Sequence, residues 1–477
     1  MVQSTVRWTG AVLMAAMLVS AGCRHMCGAD ASTSVASGLP QASESARAGT
    51  AGSVQAVAAG KLSGLTLADI VDIALSNNPT TRAAWADARA AAARHAAARG
   101  AYLPTVELMG TYTRTGAPFQ DASSSYGPAV SLSYLVFDLG GRGAKVDSLR
   151  QSLAAADLEH AAAMRYVVLS VEKACFRYLA AKAMLVSLQA GQREAQAHLD
   201  VASERHKAGL GTVADVLKAK ASLSRTQLDL QSAEGDLSVT RGALALAMGL
   251  AANTGYDLGE GVGDIPVRPV TGEVEGMIEM AVSNRADLAA ARARVLAGEA
   301  HVAEVRSRNL PSLSAAGRYG RAYVDGTGND DSYEGGLVLS VPLFSGLSGV
   351  NEVEEARFLA MSQQERAKAM EQQVVYQVFS AYFSLQTAAR RTETAGDMLA
   401  SASQAHDAAM ALYKQGLVTM TDVLSAQSLL ADARAQQISA RFAWLVSLAQ
   451  LAHDVGGTDA GKDNPFSFNN QSAGEGR

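Results

Sequence analysis

Aromatic residues are scarce: they make up 5% of this 477-residue chain, although 48% of it is hydrophobic. Ala supplies much of the apolar content. That composition argues for closely spaced helices. Charged residues are also few, at 18%, which is low for a soluble coiled coil. The net charge of −5 leaves no basic footprint for nucleic acid. Three cysteines, Cys23, Cys27 and Cys175, make no metal framework, and Cys175 reads as a small core residue. The eight histidines are scattered and none falls at a zinc-ligand spacing such as H-E-x-x-H. There is no nucleophile–base constellation and no G-x-G-x-x-G turn, so neither an enzymatic site nor a cofactor is expected. Proline is absent between Pro128 and Pro266 and again between Pro342 and Pro465. Pro disrupts helix interiors and Ala favours them, so these two Ala-rich tracts are expected to be very long helices.

Residues 1–22 read as a signal segment: Arg7 is followed by an apolar run, Trp8–Ala21, too short to span a bilayer with ease. The run ends in "VSAGC", which resembles a bacterial lipoprotein signal with Cys23 as the acylated residue. Ser20 departs from that pattern, and cleavage after Ala31 in "ADA" is the alternative. Residues 23–62 are rich in Ala, Ser and Gly and read as a flexible tether. No later segment has an unbroken apolar run of transmembrane-helix length, so an exported chain of this kind is periplasmic, secreted or in the outer membrane.

What the chain has in abundance is itself, twice. "KAGLGTVADVLKA" at 207–219 returns as "KQGLVTMTDVLSA" at 414–426, with eight of thirteen positions identical. The same offset of 207 carries Leu103 and Pro104 onto Leu310 and Pro311, and Tyr112 onto Tyr319. It predicts a first copy at 63–255, a linker at 256–271, a second copy at 272–457 and a disordered tail at 458–477.

Each copy has one internal order. A helical segment, about 66–102 in the first, stops at "YLP". Val106, Leu108, Gly110 and Tyr112 then alternate with Glu107, Met109, Thr111 and Thr113. A polar loop is expected at about 115–128, followed by a second alternating run at 129–137, giving strands of about ten residues. Past the next turn the period becomes 3.5: Met164, Val167, Val171, Ala174, Tyr178, Ala181, Leu185 and Leu188 form one seam. Val216, Ala219, Leu223, Thr226, Leu230 and Ala233 form another. Such seams predict supercoiled helices, the first spanning 143–208 and roughly 100 Å long. Between the arms, Gly209 suits a left-handed helix end and Thr212 with Asp215 suits a capping box; Thr419 and Asp422 repeat the pair.

Two strand pairs per chain cannot close a barrel, and lipid does not tolerate open sheet edges. Two protomers would supply eight strands, with an interior filled by side chains; three would supply twelve, with room for an aqueous lumen. With "ALSNNP", "YLPTVELMGTY", "YLVFDLGGRG", "VPLFSGLSG", the two G-L-x-T-x-x-D-V-L-x-A turns and "LAHDVGG", the chain resembles the TolC-type outer-membrane efflux proteins over nearly all of 65–457. The resemblance implies a mainly α fold with a transmembrane β-barrel portion: a homotrimer closing a twelve-stranded barrel in outer-membrane lipid, above a helical tunnel in the periplasm. It implies an exit duct without chemistry or cofactor, partnered by a periplasmic adaptor and an inner-membrane transporter of RND, ABC or MFS type. The two tips are then gate and docking surface. Tyr413 matches the family's locking tyrosine, Asp215 the aspartate it bonds to, and Asp422 one acidic ring position. The second acidic position is Ser425 and the locking arginine position is Val418. Gly209, Leu210, Gly416 and Leu417 are the adaptor-docking candidates. Two plainer readings stand beside these: Asp215 and Asp422 as helix caps and Tyr413 as an aromatic packed at a helix end, and the whole chain as a periplasmic coiled coil without a pore.

Overall fold

The computed structural model describes residues 63–117, 120–259, 266–267, 273–324 and 328–457. The expected signal segment, the expected tether with Cys23, most of the expected linker and the expected C-terminal tail lie outside the described residues. The first copy comprises α1 (Leu67–Asn77), α2 (Pro79–Arg99), a short 3-10 turn (Gly100–Tyr102), β1 (Thr105–Ala117), β2 (Gln120–Phe137), α3 (Gly141–Lys207) and α4 (Val213–Ala247). The second comprises α5 (Val274–Asn284), α6 (Ala286–Ser307), β3 (Ser312–Val324), β4 (Gly328–Ser340), α7 (Ser348–Gln415) and α8 (Met420–Asp454). Of the six helices and long strands of the first copy, all but β2 recur 207 residues on at their first residue, from Leu67 and Val274 to Val213 and Met420.

The helical segment expected at 66–102 is two helices. Asn78 ends the first by donating its backbone N–H to the Ala74 carbonyl and starts the second by accepting from the Thr80 N–H at 2.8 Å. Pro79 then occupies the first helical turn, where its missing donor costs nothing. The strands are longer than expected: β1 has 13 residues and β2 has 18. Residues 115–117 and 120–128, expected as loop, continue the strand pair. Their Ser, Gly and Thr content removes the apolar alternation while the pairing continues, with a register shift between Thr115 and Ala117, and Tyr112 pairs with Tyr126, Thr113 with Ser125 and Arg114 with Ser124.

The four strands form one antiparallel sheet in the order β1-β2-β3-β4. Cross-strand register stacks the apolar residues in rows: Val106 opposite Leu132 and Gly317, Leu108 opposite Val130 and Tyr319, and Tyr319 opposite Tyr333. The opposite face carries Glu107, Ser131, Arg318 and Glu334 in one row. Among the described residues β1 pairs only with β2, and β4 only with β3, so both outer rims of the sheet are unpaired there.

Helix α3, with 67 residues, and α7, with 68, are roughly 100 Å long. Each pairs with its return helix, α4 or α8. Two related cores lie against the middle of these arms. In the first, Ile70 and Ala74 of α1 pack on Val167, Val171 and Tyr178 of α3 and on Leu244 and Met248. In the second, Met277 and Ala281 of α5 pack on Val374, Val378 and Leu385 of α7 and on Leu451 and Val455. Cys175 is a fully buried free thiol in the first core, where burial pushes it up to about 12. Tyr256 and Leu258, at the start of the expected linker, also pack there, and Leu258 bridges to Leu65. Among the described residues no helix is long and apolar enough to cross a membrane.

Candidate gate at the hairpin tips

Each long hairpin turns through the same local chemistry. At the end of α3, Gly209 takes φ +71°, and at the end of α7, Gly416 takes φ +79°. That left-handed backbone suits glycine because no Cβ meets the carbonyl. It lets the Leu210 N–H reach back to the Arg205 carbonyl at 2.8 Å and the Gly209 N–H to the His206 carbonyl at 3.0 Å. Leu417 and Gly416 repeat this with Leu412 and Tyr413, at 3.0 and 2.9 Å. These paired bonds are the Schellman pattern, which satisfies carbonyls that a helix end leaves open.

The return helices start on capping boxes. Asp215 donates its N–H to Thr212 Oγ1 and its carboxylate accepts the Thr212 N–H, both at 3.2 Å. Asp422 and Thr419 do the same at 3.4 and 2.8 Å, respectively. The bonds from Thr419 hold the Asp422 carboxyl below the usual carboxylate range, so Asp422 keeps its charge at neutral pH. Leu210 and Leu417 project from the tips at 70% and 68% exposure.

The two tips meet in a small core of Ala202, Ala219, Tyr413, Met420 and Val423. Tyr413 is buried, and its hydroxyl has no hydrogen-bond partner among the described residues. The Tyr413–Asp215 hydrogen bond implied by the resemblance is therefore absent from the protomer. The Asp215 carboxylate is occupied by Thr212, and it acts on Tyr413 only through its charge, which together with burial raises the phenol. Val418 is partly buried in the same core, and the Ser425 hydroxyl donates to the Thr421 carbonyl within its own helix.

Two groups of residues that sequence reasoning passed over come together here. Arg205 lies with its guanidinium 4.9 Å from the Tyr413 ring centroid and donates to carbonyls on both tips. Higher up, His198 of α3 and His406 of α7 face each other, Nε2 to Nε2, at 3.2 Å. His198 Nδ1 lies 3.0 Å from Gln427 Oε1 of α8, and all three residues are buried. Glu194 and Arg434 form a two-point pair between α3 and α8 at 2.8 and 2.9 Å, and Lys218 donates to Thr421 at 3.0 Å. All of these join the first hairpin to the second. No group of three or more His, Cys, Asp or Glu able to hold a metal occurs among the described residues.

The family model for outer membrane efflux proteins matches the chain twice, over residues 70–250 and 277–457. The chain belongs to the outer membrane efflux protein family. It is an outer-membrane channel whose helical arms lie in the periplasm. Among members of this efflux family, it is 26% identical to protein CyaE of Bordetella pertussis over 80% of this chain and 81% of that one. It is 25% identical to outer membrane protein TolC of Vibrio cholerae over 82% and 90%. The pyoverdine export outer membrane protein OpmQ of Pseudomonas putida is 26% identical over 82% and 86%. Among solved structures, CusC superimposes with a TM-score of 0.74 at 18% identity, covering 82% of this chain and 92% of that one. VceC of Vibrio cholerae superimposes with a TM-score of 0.72 at 20% identity, covering 82% and 96%.

Proposed function

We propose that three copies of this chain form the exit duct of a tripartite efflux or type I secretion system. The observation that carries this reading is the sheet with two unpaired rims and an apolar face. Four strands leave backbone donors and acceptors open in lipid, and three protomers supply the twelve strands that close a water-filled barrel. Val106, Leu108 and Leu337, all well exposed in the protomer, would then face hydrocarbon. The row of Glu107, Ser131, Arg318 and Glu334 would line the lumen. A wide lumen of this kind is compatible with drug, metal and protein cargo alike, the choice being made by the partner transporter.

In this reading the repeats at 63–255 and 272–457 each contribute one barrel hairpin and one tunnel hairpin. The tips form the periplasmic entrance. Three Asp422 carboxylates would ring it and favour cations. Tyr413 and Asp215 would lie at the contact between the hairpins that closes it. Gly209, Leu210, Gly416 and Leu417 would meet a periplasmic adaptor, which joins the duct to an inner-membrane transporter of RND, ABC or MFS type. Cys23 would carry a lipid anchor. Conduction of this kind involves no catalytic step and no cofactor. The test is reconstitution of the full-length protein in proteoliposomes. Ion flux supports the duct; its absence from protein that is correctly inserted would leave the periplasmic coiled coil without a pore.

A further inference from the structure

We infer that Arg205 is the latch joining the two hairpin tips of each protomer, so that it, rather than a Tyr413–Asp215 hydrogen bond, holds the entrance narrow. The inference rests on the gate reading above and names the residue that does the holding.

The geometry is specific. Arg205 Nη1 donates to the carbonyls of Tyr413 at 2.7 Å and Lys414 at 3.0 Å, and Nη2 donates to the Leu210 carbonyl at 3.3 Å. Tyr413 and Lys414 belong to the last turn of α7, and Leu210 follows α3. One guanidinium thus binds the carbonyl ends of two helices that stop side by side. Both ends carry partial negative charge from aligned peptide dipoles, and the Tyr413 carbonyl, which already accepts the Gly416 N–H at 2.9 Å, takes the arginine on its second lone pair. A cation between them suits both ends, and the planar fork of arginine reaches three carbonyls at once where a lysine ammonium would not hold the same spacing. Its plane also covers the Tyr413 ring at 4.9 Å, which places that buried aromatic between the arginine and the tip core.

The duplication supplies an independent argument. The offset of 207 carries Arg205 onto Leu412 and His206 onto Tyr413. Around them the tips keep Lys, Gly, Leu, Thr and Asp in register, so the turn itself needs neither Arg205 nor Tyr413. The two copies differ at the residues that touch across the interface. The tip core holds Met420 and Val423 beside Ala202 and Ala219, and Lys218–Thr421, Glu194–Arg434 and His198–His406 also cross between the hairpins. Arg205 differs from these in bonding backbone carbonyls of both tips at the turn itself.

The test is single-channel recording of the full-length protein in planar bilayers, comparing wild type with Arg205→Leu, the residue at the matching position of the second copy, and Arg205→Lys. The latch predicts at least a twofold rise in conductance for Arg205→Leu and a smaller rise for Arg205→Lys, which keeps the charge but loses the fork. Tyr413→Leu, which removes the ring but leaves the carbonyl, should raise conductance less than Arg205→Leu and add little to it in the double variant. Thermal melting of each variant guards against a folding defect: a conductance change with an unaltered melting midpoint assigns the effect to the tip. If wild type conducts and Arg205→Leu conducts equally, the latch is wrong and the channel stands. If wild type itself passes no current, the channel reading fails first. Should Arg205→Leu not fold, the graded response of Arg205→Lys still decides, since unchanged conductance there with a lost fork contradicts the latch.

Discussion

At the residue scale, the repeated tip shows how few positions are needed to turn a 100 Å helix back on itself. Gly209 and Gly416 supply the left-handed backbone, Thr212 and Thr419 accept the N–H of Asp215 and Asp422 in the first turn of the return helix, and the two carboxylates complete the exchange. All six were legible in the sequence because each acts on its own neighbours. Capping leaves the Asp422 charge exposed while holding the carboxyl ionised. Charge reversal by Asp422→Lys is therefore expected to shift the reversal potential of a salt-gradient bilayer toward anion preference, because three cations would replace three anions at the entrance. An unchanged reversal potential would place Asp422 away from the ion path. Thr419→Ala, which removes the cap but not the charge, is expected to leave selectivity unaltered and to cost about 1 kcal/mol of stability.

At the element scale, the two hairpins are joined by polar contacts between residues about 200 positions apart. The His198–His406 pair is the most sensitive of these to pH. Burial leads in holding His198 below the ordinary imidazole value of 6.5, the neighbouring His406 adds to this, and the Gln427 bond opposes it. A histidine depressed in the folded state binds fewer protons there than when released. Its contribution is therefore present in full above the ordinary value and is lost as pH falls below that value through the depressed one. Glu194, Lys414, Asp407 and Arg434 are the charged groups around the pair: Glu194 opposes the depression, Lys414 favours it, Asp407 lies 3.5 Å from His406, and Arg434 is paired with Glu194. Hydrogen exchange of the segment 195–205, measured relative to the intrinsic amide rate at each pH, is expected to quicken as pH falls below about 6.5, and His198→Gln should flatten that dependence. Equal quickening in the variant would move the effect elsewhere.

The elements also show where sequence reading stops. The Pro-free tracts, the seams at Val167, Val171 and Tyr178 and at Ala219 and Leu223, and the 207-residue offset all translate into observed helices and cores. The residues 115–128 do not read as strand, because above an apolar belt both faces of a sheet are wet and the alternation that marks a strand disappears. Arg205, His198 and His406 carry no local mark either. Their partners are fixed by how two hairpins lie together, and only the comparison of copies, Arg205 against Leu412 and Leu199 against His406, distinguishes them.

At the scale of the whole molecule, a protomer of this shape is incomplete. One face of its sheet exposes Val106, Leu108, Tyr112, Leu337 and Leu339, and its rims are unpaired. In water that surface would aggregate; in lipid the face is satisfied and the rims are not, so neighbouring chains must supply the missing strands. Leu108→Arg is expected to cost about 2–4 kcal/mol if that position faces the bilayer midplane, and to lower the amount of protein assembled in outer-membrane fractions. Glu107→Gln, one residue away on the other face, should assemble normally; equal losses from both would argue against the assignment of faces.

The most direct measurement is native mass spectrometry of the full-length protein released from outer-membrane extracts in detergent. The account predicts a complex of three chains that retains detergent or lipid until activated in the gas phase. A stable single chain that carries neither, and remains soluble without them, would contradict it.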